Sequence, residues 1–306
     1  RGNATATAMI ATAAILATLG LDALVGEPPT RLHPVALFGR LVAPFDRDWQ
    51  YPRAVGVLAA CGLPLAVATV LGGLTWVAWQ YDPVAAGALA TIVLFSTTSL
   101  RALLTAGNTV VDATDSDLDE ARSAAPALVG RDPSALSPGE LRSAAVESVA
   151  ENLADGLVAP LAVFAIGALV SLPVAVAAAA FVKAVNTLDS MLGYRDKPVG
   201  WASARLDDAV MWLPARLSAG LIVLVALKPA ALVRARSWAR RPASPNSGWP
   251  MATMAAIIDA TLEKPGAYVL NETAELPTTA QARRGVRTVG VAGVGAFTLA
   301  GVVAWF

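Results

Sequence analysis

The sequence predicts an all-α fold, a polytopic integral membrane protein with cytoplasmic amphipathic helices and loops. Three observations carry that class. Of 306 residues, 56% are hydrophobic and 15% charged, where soluble domains carry roughly 25% charged residues. The apolar residues gather into runs near 6–25, 54–80, 83–100, 157–182 (broken at 171–173), 209–228 and 286–306. Each is close to the length of about 20 residues that crosses a bilayer as a helix. The charges collect between the runs, in two regions expected to be cytoplasmic and helical, 101–156 and 229–285. The whole chain, 1–306, is therefore expected to be one domain embedded in a lipid bilayer.

Each element has its own warrant. The first run, Ala6 to Val25, is longer than the apolar core of a leader and lacks a small-residue cleavage site, so it reads as a spanning helix. Pro28-Pro29 should stop it. An interfacial helix is expected around Val35 to Pro44. Tyr81-Asp82-Pro83 breaks the next apolar stretch into two antiparallel arms, with Trp76, Trp79 and Tyr81 as an interfacial belt. Leu103 to Leu128 carries Asp112, Asp115, Asp117, Asp119, Glu120 and Arg122, and is too polar to span; it reads as a water-exposed amphipathic helix. Ser137-Pro138-Gly139-Glu140 is a helix start, with Ser137 as N-cap, Pro138 first in the helix and Glu140 three residues after the cap. Met251 to Leu262 should be amphipathic and helical. Arg234, Arg236, Arg240 and Arg241, with Arg283, Arg284 and Arg287, place their loops in the cytoplasm by the positive-inside rule. Parity is open around 157–228, and a chain that folds back at Ser171-Leu172-Pro173 keeps all the polar clusters on one side.

Composition also excludes. Lys and Arg number 23, as do Asp and Glu, so no basic field invites nucleic acid. One cysteine, Cys61, rules out a disulfide framework and a cysteine-based zinc site. One histidine, His33, rules out a histidine-rich centre. Any metal would be a hard cation held by oxygen, most naturally Mg²⁺.

Two polar clusters interrupt this apolar chain. In the first, Glu147 and Glu151 are i,i+4 neighbours on a helix, and Asp155 continues the row beside Asn152. Like charges at that spacing repel by a few tenths of a kcal/mol, roughly, unless a cation lies between them. A solvated helix face paired with Arg142 is the plain alternative. The row runs straight into an apolar segment, however, and ionisable groups at a membrane boundary are costly and more often functional. In the second, Lys183, Asn186, Asp189 and Tyr194 precede Arg205, Asp207 and Asp208. Carboxylates and an amide at i,i+3 can hold Mg²⁺ against a phosphate, and Arg205 can clamp a phosphate bidentately. The plain alternatives are a snorkelling lysine and an Arg205–Asp208 pair at i,i+3. His33 either caps a turn or serves as a base near neutral pH. Asn246, in Ser244-Pro245-Asn246-Ser247-Gly248-Trp249-Pro250, either holds a turn or faces a ligand. No P-loop, dinucleotide fingerprint or nucleophile elbow is present.

The ordered motifs Gly26-Glu27-Pro28-Pro29, His33-Pro34-Val35, Glu147-Ser-Val-Ala-Glu151-Asn152, Asp155-Gly156, Lys183-Ala-Val-Asn186-Thr-Leu-Asp189-Ser-Met, Gly200-Trp-Ala, Arg205-Leu-Asp207-Asp208 and Ser244-Pro-Asn246 cover nearly the whole chain. Together they resemble the CobD/CbiB family of cobalamin biosynthesis. Leu153 and Ala154 replace hydroxyl residues common there, and Met251 an acid. The resemblance implies ATP-dependent amide ligation of a corrinoid, adenosylcobyric acid, with a small amino-alcohol phosphate, aminopropanol phosphate, or with aminopropanol. It implies ATP as co-substrate and Mg²⁺ as cofactor at the cell membrane. The active site would face the cytoplasm, with association with other cobalamin-pathway enzymes a further expectation. On this reading Glu147, Glu151, Asp189 and His33 are catalytic candidates. Lys183, Arg205, Asn152, Asn186, Tyr194 and Asn246 are binding candidates. Glu147, Glu151, Asp155, Asp189, Asp207 and Asp208 are Mg²⁺ ligand candidates. A Mg²⁺-dependent intramembrane transferase such as a prenyltransferase would carry similar acid clusters. A transporter is the third reading, although no internal repeat supports it.

Overall fold

A computed structural model describes residues 2–27, 33–130, 132–194 and 196–306. The predicted Pro28-Pro29 stop lies outside the described residues. The fold is all-α, as predicted, apart from one short hairpin. Six helices are long and apolar enough to cross a membrane: Ala4–Leu24, Pro52–Tyr81, Pro83–Ser116, Pro138–Ala168, Leu172–Leu192 and Thr279–Trp305. A seventh crossing is counted if the helical stretches Pro198–Val210 and Trp212–Ala226 form one interrupted span. The chain is a multi-pass membrane protein by these lengths and compositions.

The residues gather into two compact units. The first comprises Arg1–Ser99, Asp155–Met211 and Ala296–Phe306; the second comprises Leu100–Ala154 and Trp212–Gly295.

In the first unit, α1 (Gly2–Leu24) packs on α4 (Pro83–Thr97), and α3 (Pro52–Tyr81) packs along α9 (Leu172–Leu192). Asp82 ends α3 and caps α4, its Oδ1 accepting from the Val84 N–H at 2.9 Å. That is the predicted break. Small residues let these helices close up. A Cβ added at Gly72 would meet Ala177 Cβ at 2.9 Å, and one at Gly167 would meet Ala175 Cα at 2.7 Å. Between apolar helices in lipid, van der Waals contact of this kind drives association where hydrophobic burial cannot. The interfacial helix appears as α2 (Pro34–Val42), followed by a 3₁₀ turn, Ala43–Phe45. Its Phe38 and Val42 pack on Ala184, Leu188 and Leu192 of α9.

The expectation of one broken span at 157–182 needs correction. The break is real: α8 (Ala159–Ala168) ends, Ser171 caps α9 at the Val174 N–H, and the two helices pack side by side. The arms, however, extend well beyond 157 and 182. Pro138–Ala168 is a single long apolar helical run, interrupted by a π-helical turn at Ala154–Val158, and α9 continues to Leu192. A fold-back between two full-length arms replaces the short re-entrant arms that the apolar residues alone suggested.

In the second unit, α7 (Pro138–Leu153) packs against α5 (Arg101–Ser116). Its start carries the predicted capping box. Glu140 Oε2 accepts from the Ser137 N–H at 2.8 Å, and Ser137 Oγ accepts from the Glu140 N–H at 3.3 Å. The single amphipathic helix expected over Leu103–Leu128 is two helices, because Asp117 adopts an extended conformation and caps α6 (Leu118–Ala124) through its Oδ1. The amphipathic helix expected over Met251–Leu262 is also corrected. Helix α13 (Gly248–Ile258) buries every residue except Trp249 and ends at Asp259 in a left-handed conformation (φ 55°). A two-stranded hairpin follows, β1 (Leu262–Lys264) and β2 (Tyr268–Leu270), in antiparallel register Leu262↔Leu270. It turns at Pro265-Gly266, where Gly266 takes φ +75°, a conformation open to glycine at no steric cost. Helices α11 (Trp212–Ala226) and α12 (Ala230–Ala235) lie against α13. The last helix, α14 (Thr279–Trp305), runs through both units.

Candidate functional site

The first unit holds the second polar cluster and three residues from elsewhere in the sequence. Along α9, Lys183, Asn186 and Asp189 follow one another at i, i+3 and i+6, on one face. The acidic groups whose charge bears on Lys183 are Asp155, on the π-helical turn, and Glu27. Such turns inside helices are frequent at functional sites. His33 also sits in the fields of Glu27 and Lys183. The fold-back at Ser171 is what brings Asp155 to α9.

The His33 imidazole is the N-cap of α2, its Nδ1 accepting from the Val35 N–H at 3.2 Å. With Nδ1 an acceptor, the neutral ring carries its proton on Nε2 and is a donor there. Of its two candidate readings, the geometry supplies the cap. Burial lowers its pKa from the ordinary 6.5; the Glu27 charge opposes this and the Lys183 charge adds to it.

Asp189 has its Oδ1 buried with no hydrogen-bond partner among the described residues. The carboxylate whose charge bears on it is Asp208. Asp207 and Asp208 lie on α10 (Trp201–Val210); Asp207 is buried, and Asp208 makes the predicted i,i+3 pair with Arg205 at 3.5 Å. The Arg205 side chain is 69% exposed, so that pair leaves the guanidinium open to solvent. Tyr194 is exposed, its ring 5.1 Å from the Lys197 ammonium, which bonds Asp46 at 2.8 Å. Gly200 sits where α10 begins, and a Cβ there would fall on the Leu192 carbonyl oxygen. The close approach of the two backbones fixes the start of α10 against the end of α9.

The second unit holds the Glu147–Glu151 row. Glu147 is 5% exposed. Its Oε2 accepts from the Tyr268 hydroxyl at 2.6 Å and its Oε1 from Ser143 Oγ at 3.1 Å. Ser143 Oγ in turn accepts from the Glu263 N–H at 2.7 Å, which pins the hairpin to α7. Glu151, one turn on, is bonded by Ser247 and lies in the field of Lys264. Arg142 is not the row's partner. It donates to the Pro277 carbonyl at 2.7 Å and to Thr114 Oγ1 at 3.1 Å, and pairs with Asp115 at 3.6 Å. Asn152 bonds back along its own helix, to the Ser148 carbonyl at 3.0 Å. Asn246 is buried and accepts from Arg216 at 2.8 Å, while that guanidinium stacks on Trp212 and Trp249. The proline-rich loop is therefore locked to α11 by an arginine.

Sequence reasoning missed Tyr268, Lys264, Ser143 and Arg216. For the hairpin pair a signal existed: Lys264-Pro-Gly-Ala-Tyr-Val-Leu270 has a turn dipeptide followed by strand-forming residues. Among the described residues no three His, Cys, Asp or Glu side chains come together as a metal-binding group.

A family model described as CobD/Cbib protein matches residues 15–292. The chain is 35% identical over 293 residues to a probable cobalamin biosynthesis protein CobD of Methanothrix thermoacetophila, covering 90% of this chain and 91% of the other. It is 40% identical over 265 residues to a cobalamin biosynthesis protein CobD of Mycobacterium tuberculosis, covering 81% and 79%. A CobD of Halalkalibacterium halodurans is 33% identical over 268 residues, covering 83% and 82%. No solved structure matches. The fold and its polar clusters define a polytopic helical membrane protein with acids and bases gathered at specific helix faces. The chain belongs to the CobD/CbiB family, the cobalamin-biosynthesis family that its motifs resemble.

Proposed function

We propose that the protein is an ATP-dependent amide ligase of cobalamin biosynthesis. It joins a carboxylate of adenosylcobyric acid to aminopropanol phosphate, or to aminopropanol, at the cell membrane, with its active site open to the cytoplasm. The observation that carries the reading is Asp189, whose buried Oδ1 has no hydrogen-bond partner among the described residues, beside Asp208 and on one face with Asn186 and Lys183. An unsatisfied buried polar atom costs about 1–3 kcal/mol. A cation offsets that cost. Mg²⁺ takes one or two carboxylates and fills its sphere with phosphate oxygens and water, so the donor set suits it without a third acid. Asp189 and Asp208 would hold Mg²⁺; Asp207 and Asp155 belong to the same unit. When bound, Mg²⁺ offsets the charge on the ATP phosphates.

The remaining residues bind and position. Lys183 and the open Arg205 guanidinium supply positive charge to phosphate oxygens, and Asn186 orients them. In the first step, the substrate carboxylate oxygen forms a bond to the γ-phosphorus of ATP and the bond to ADP breaks. In the second, the amine nitrogen forms the amide bond and inorganic phosphate leaves. The ammonium proton passes to a carboxylate base or to water.

The test uses purified, detergent-solubilised protein with adenosylcobyric acid, aminopropanol phosphate, ATP and Mg²⁺, followed by mass spectrometry of the corrinoid. A product heavier by the amine less water, formed only with ATP, is expected. An unchanged corrinoid in demonstrably folded protein, with both amines tried, would overturn the reading. Asp189→Asn is expected to lower turnover by at least about 100-fold, the scale of losing one preorganised electrostatic contact.

A further inference from the structure

The second unit carries a groove that the ligase chemistry leaves unassigned. It lies between α5 and the first half of α14, walled by Leu104, Asn108 and Asp112 on one side and by Arg283, Val286 and Arg287 on the other. We propose that this groove binds the headgroup of an anionic phospholipid, its phosphate on Arg287 and Arg283 and its acyl chains continuing along the helices past Leu104. Nothing in this assignment depends on which reaction the protein catalyses.

Charge is the first argument. Arg283 Nε donates to Asp112 Oδ1 at 2.7 Å, a bond that uses one of the several N–H donors of a guanidinium. Arg287 follows at i+4 and so lies on the same face of α14. It is exposed and has no hydrogen bond or ion pair among the described residues. Two guanidinium groups against one carboxylate leave the groove with a net positive charge. A phosphodiester carries the complementary negative charge, and the planar arginine fork suits its oxygens. Polarity is the second argument. The two helices run antiparallel here: Arg283 meets Asp112, whereas Leu104 meets Gly290, where an added Cβ would lie 3.1 Å from Leu104 Cδ1. The charged end of the groove therefore lies toward the start of α14, and the apolar end about two turns further along it. An amphiphile has the same order, headgroup and then chain. Depth is the third. From Arg287 to Trp305, α14 is about 27 Å long at roughly 1.5 Å per residue, close to the bilayer's hydrocarbon thickness of about 30 Å. With Trp305 at one interface, Arg287 stands at the other, level with lipid phosphates. Basic pockets between spanning helices on the cytoplasmic side suit such headgroups. Size agrees. The groove measures about 290 Å³, and a water molecule occupies roughly 30 Å³, so it holds about ten heavy atoms, a glycerol phosphate with its chains outside.

The experiment is native mass spectrometry of the full chain in detergent, titrated with phosphatidylglycerol or with phosphatidylcholine of identical chains. Phosphatidylglycerol should bind at least about tenfold tighter, the scale of one charge-assisted hydrogen bond. Arg287→Gln should abolish that preference. Arg283→Gln, which also leaves Asp112 bare, should abolish it too. Arg240→Gln, at an exposed arginine of the same unit outside the groove, should leave it unchanged. Glycerol 3-phosphate at the same concentrations should not displace the lipid. Arg287 is exposed, so its replacement tests the proposal even if Arg283→Gln, which breaks an ion pair, fails to fold. Equal binding of the two lipids by wild type, or an undiminished preference in Arg287→Gln, overturns the proposal. An equal loss in Arg240→Gln would assign the preference to basic surface in general and overturn it as well. Displacement by glycerol 3-phosphate would make the groove a site for a soluble phosphate instead.

Discussion

Tyr268 and Glu147 show how one contact can set a site. A hydrogen bond to a buried carboxylate contributes about 1.5–3 kcal/mol, and Glu147 is buried with the Tyr268 hydroxyl 2.6 Å away. Tyr268→Phe is expected to lower stability by that amount in a detergent melt, while Tyr194→Phe, at an exposed ring, leaves the melt unchanged within error. His33 supplies the pH-dependent counterpart. Its folded-state pKa is lowered, chiefly by burial, so the unfolded chain binds more protons at and below the ordinary 6.5. This contribution to stability is complete above that pH and is lost as pH falls through the unfolded and then the folded value. His33→Asn keeps a capping side chain and is expected to flatten the acid limb of the stability profile, measured by unfolding between pH 7 and 5. An acid limb unchanged in the variant would assign that loss to other groups.

Elements here are fixed by caps and close backbone approaches. The Ser137 capping box starts the helix that carries Glu147 and Glu151. Ser137→Ala should cost about 1 kcal/mol, visible as a lower melting temperature with an unchanged KM. Gly200 is less forgiving. A Cβ there would fall on the Leu192 carbonyl, a backbone atom that cannot swing aside. Gly200→Ala is expected to exceed the usual overpacking cost of about 1–3 kcal/mol and to be read as loss of folded protein on size exclusion. The hairpin is the element that pattern reasoning passed over. Its strands are three residues each, shorter than periodicity can register, and they follow an apolar run that reads as helix. Its Pro265-Gly266 turn was the one local mark. The Ser171 break, by contrast, carried its own signal, since a serine cap before a proline announces a helix start anywhere.

At the scale of the molecule, the span count decides which loops share a side of the membrane. Six crossings put both ends of the chain on one side, and seven put them on opposite sides; the two counts differ at Pro198–Val210 and Trp212–Ala226. Replacing the exposed Cys61 and placing single cysteines at Ser237 and Asp48 for impermeant labelling of intact cells settles the parity. Both are expected to stay unlabelled in intact cells and to react once the cells are opened, by the positive-inside rule. Labelling of either from outside would reverse the cytoplasmic assignment of its loop. The sequence by itself determined the class, the apolar runs, the α7 cap, the Arg205–Asp208 pair and the family, because composition, periodicity and short-range spacing are local properties of the chain. Only the tertiary structure decided which groups meet: Asp155 facing Lys183, Tyr268 and Ser143 holding Glu147, Arg216 on Asn246, and Arg142 turned away from the acid row toward Asp115 and Pro277. Apart from Ser143, one helical turn before Glu147, those partners lie tens to more than a hundred residues apart. A buried polar group takes whichever partner packing delivers, and packing is a property of the folded chain.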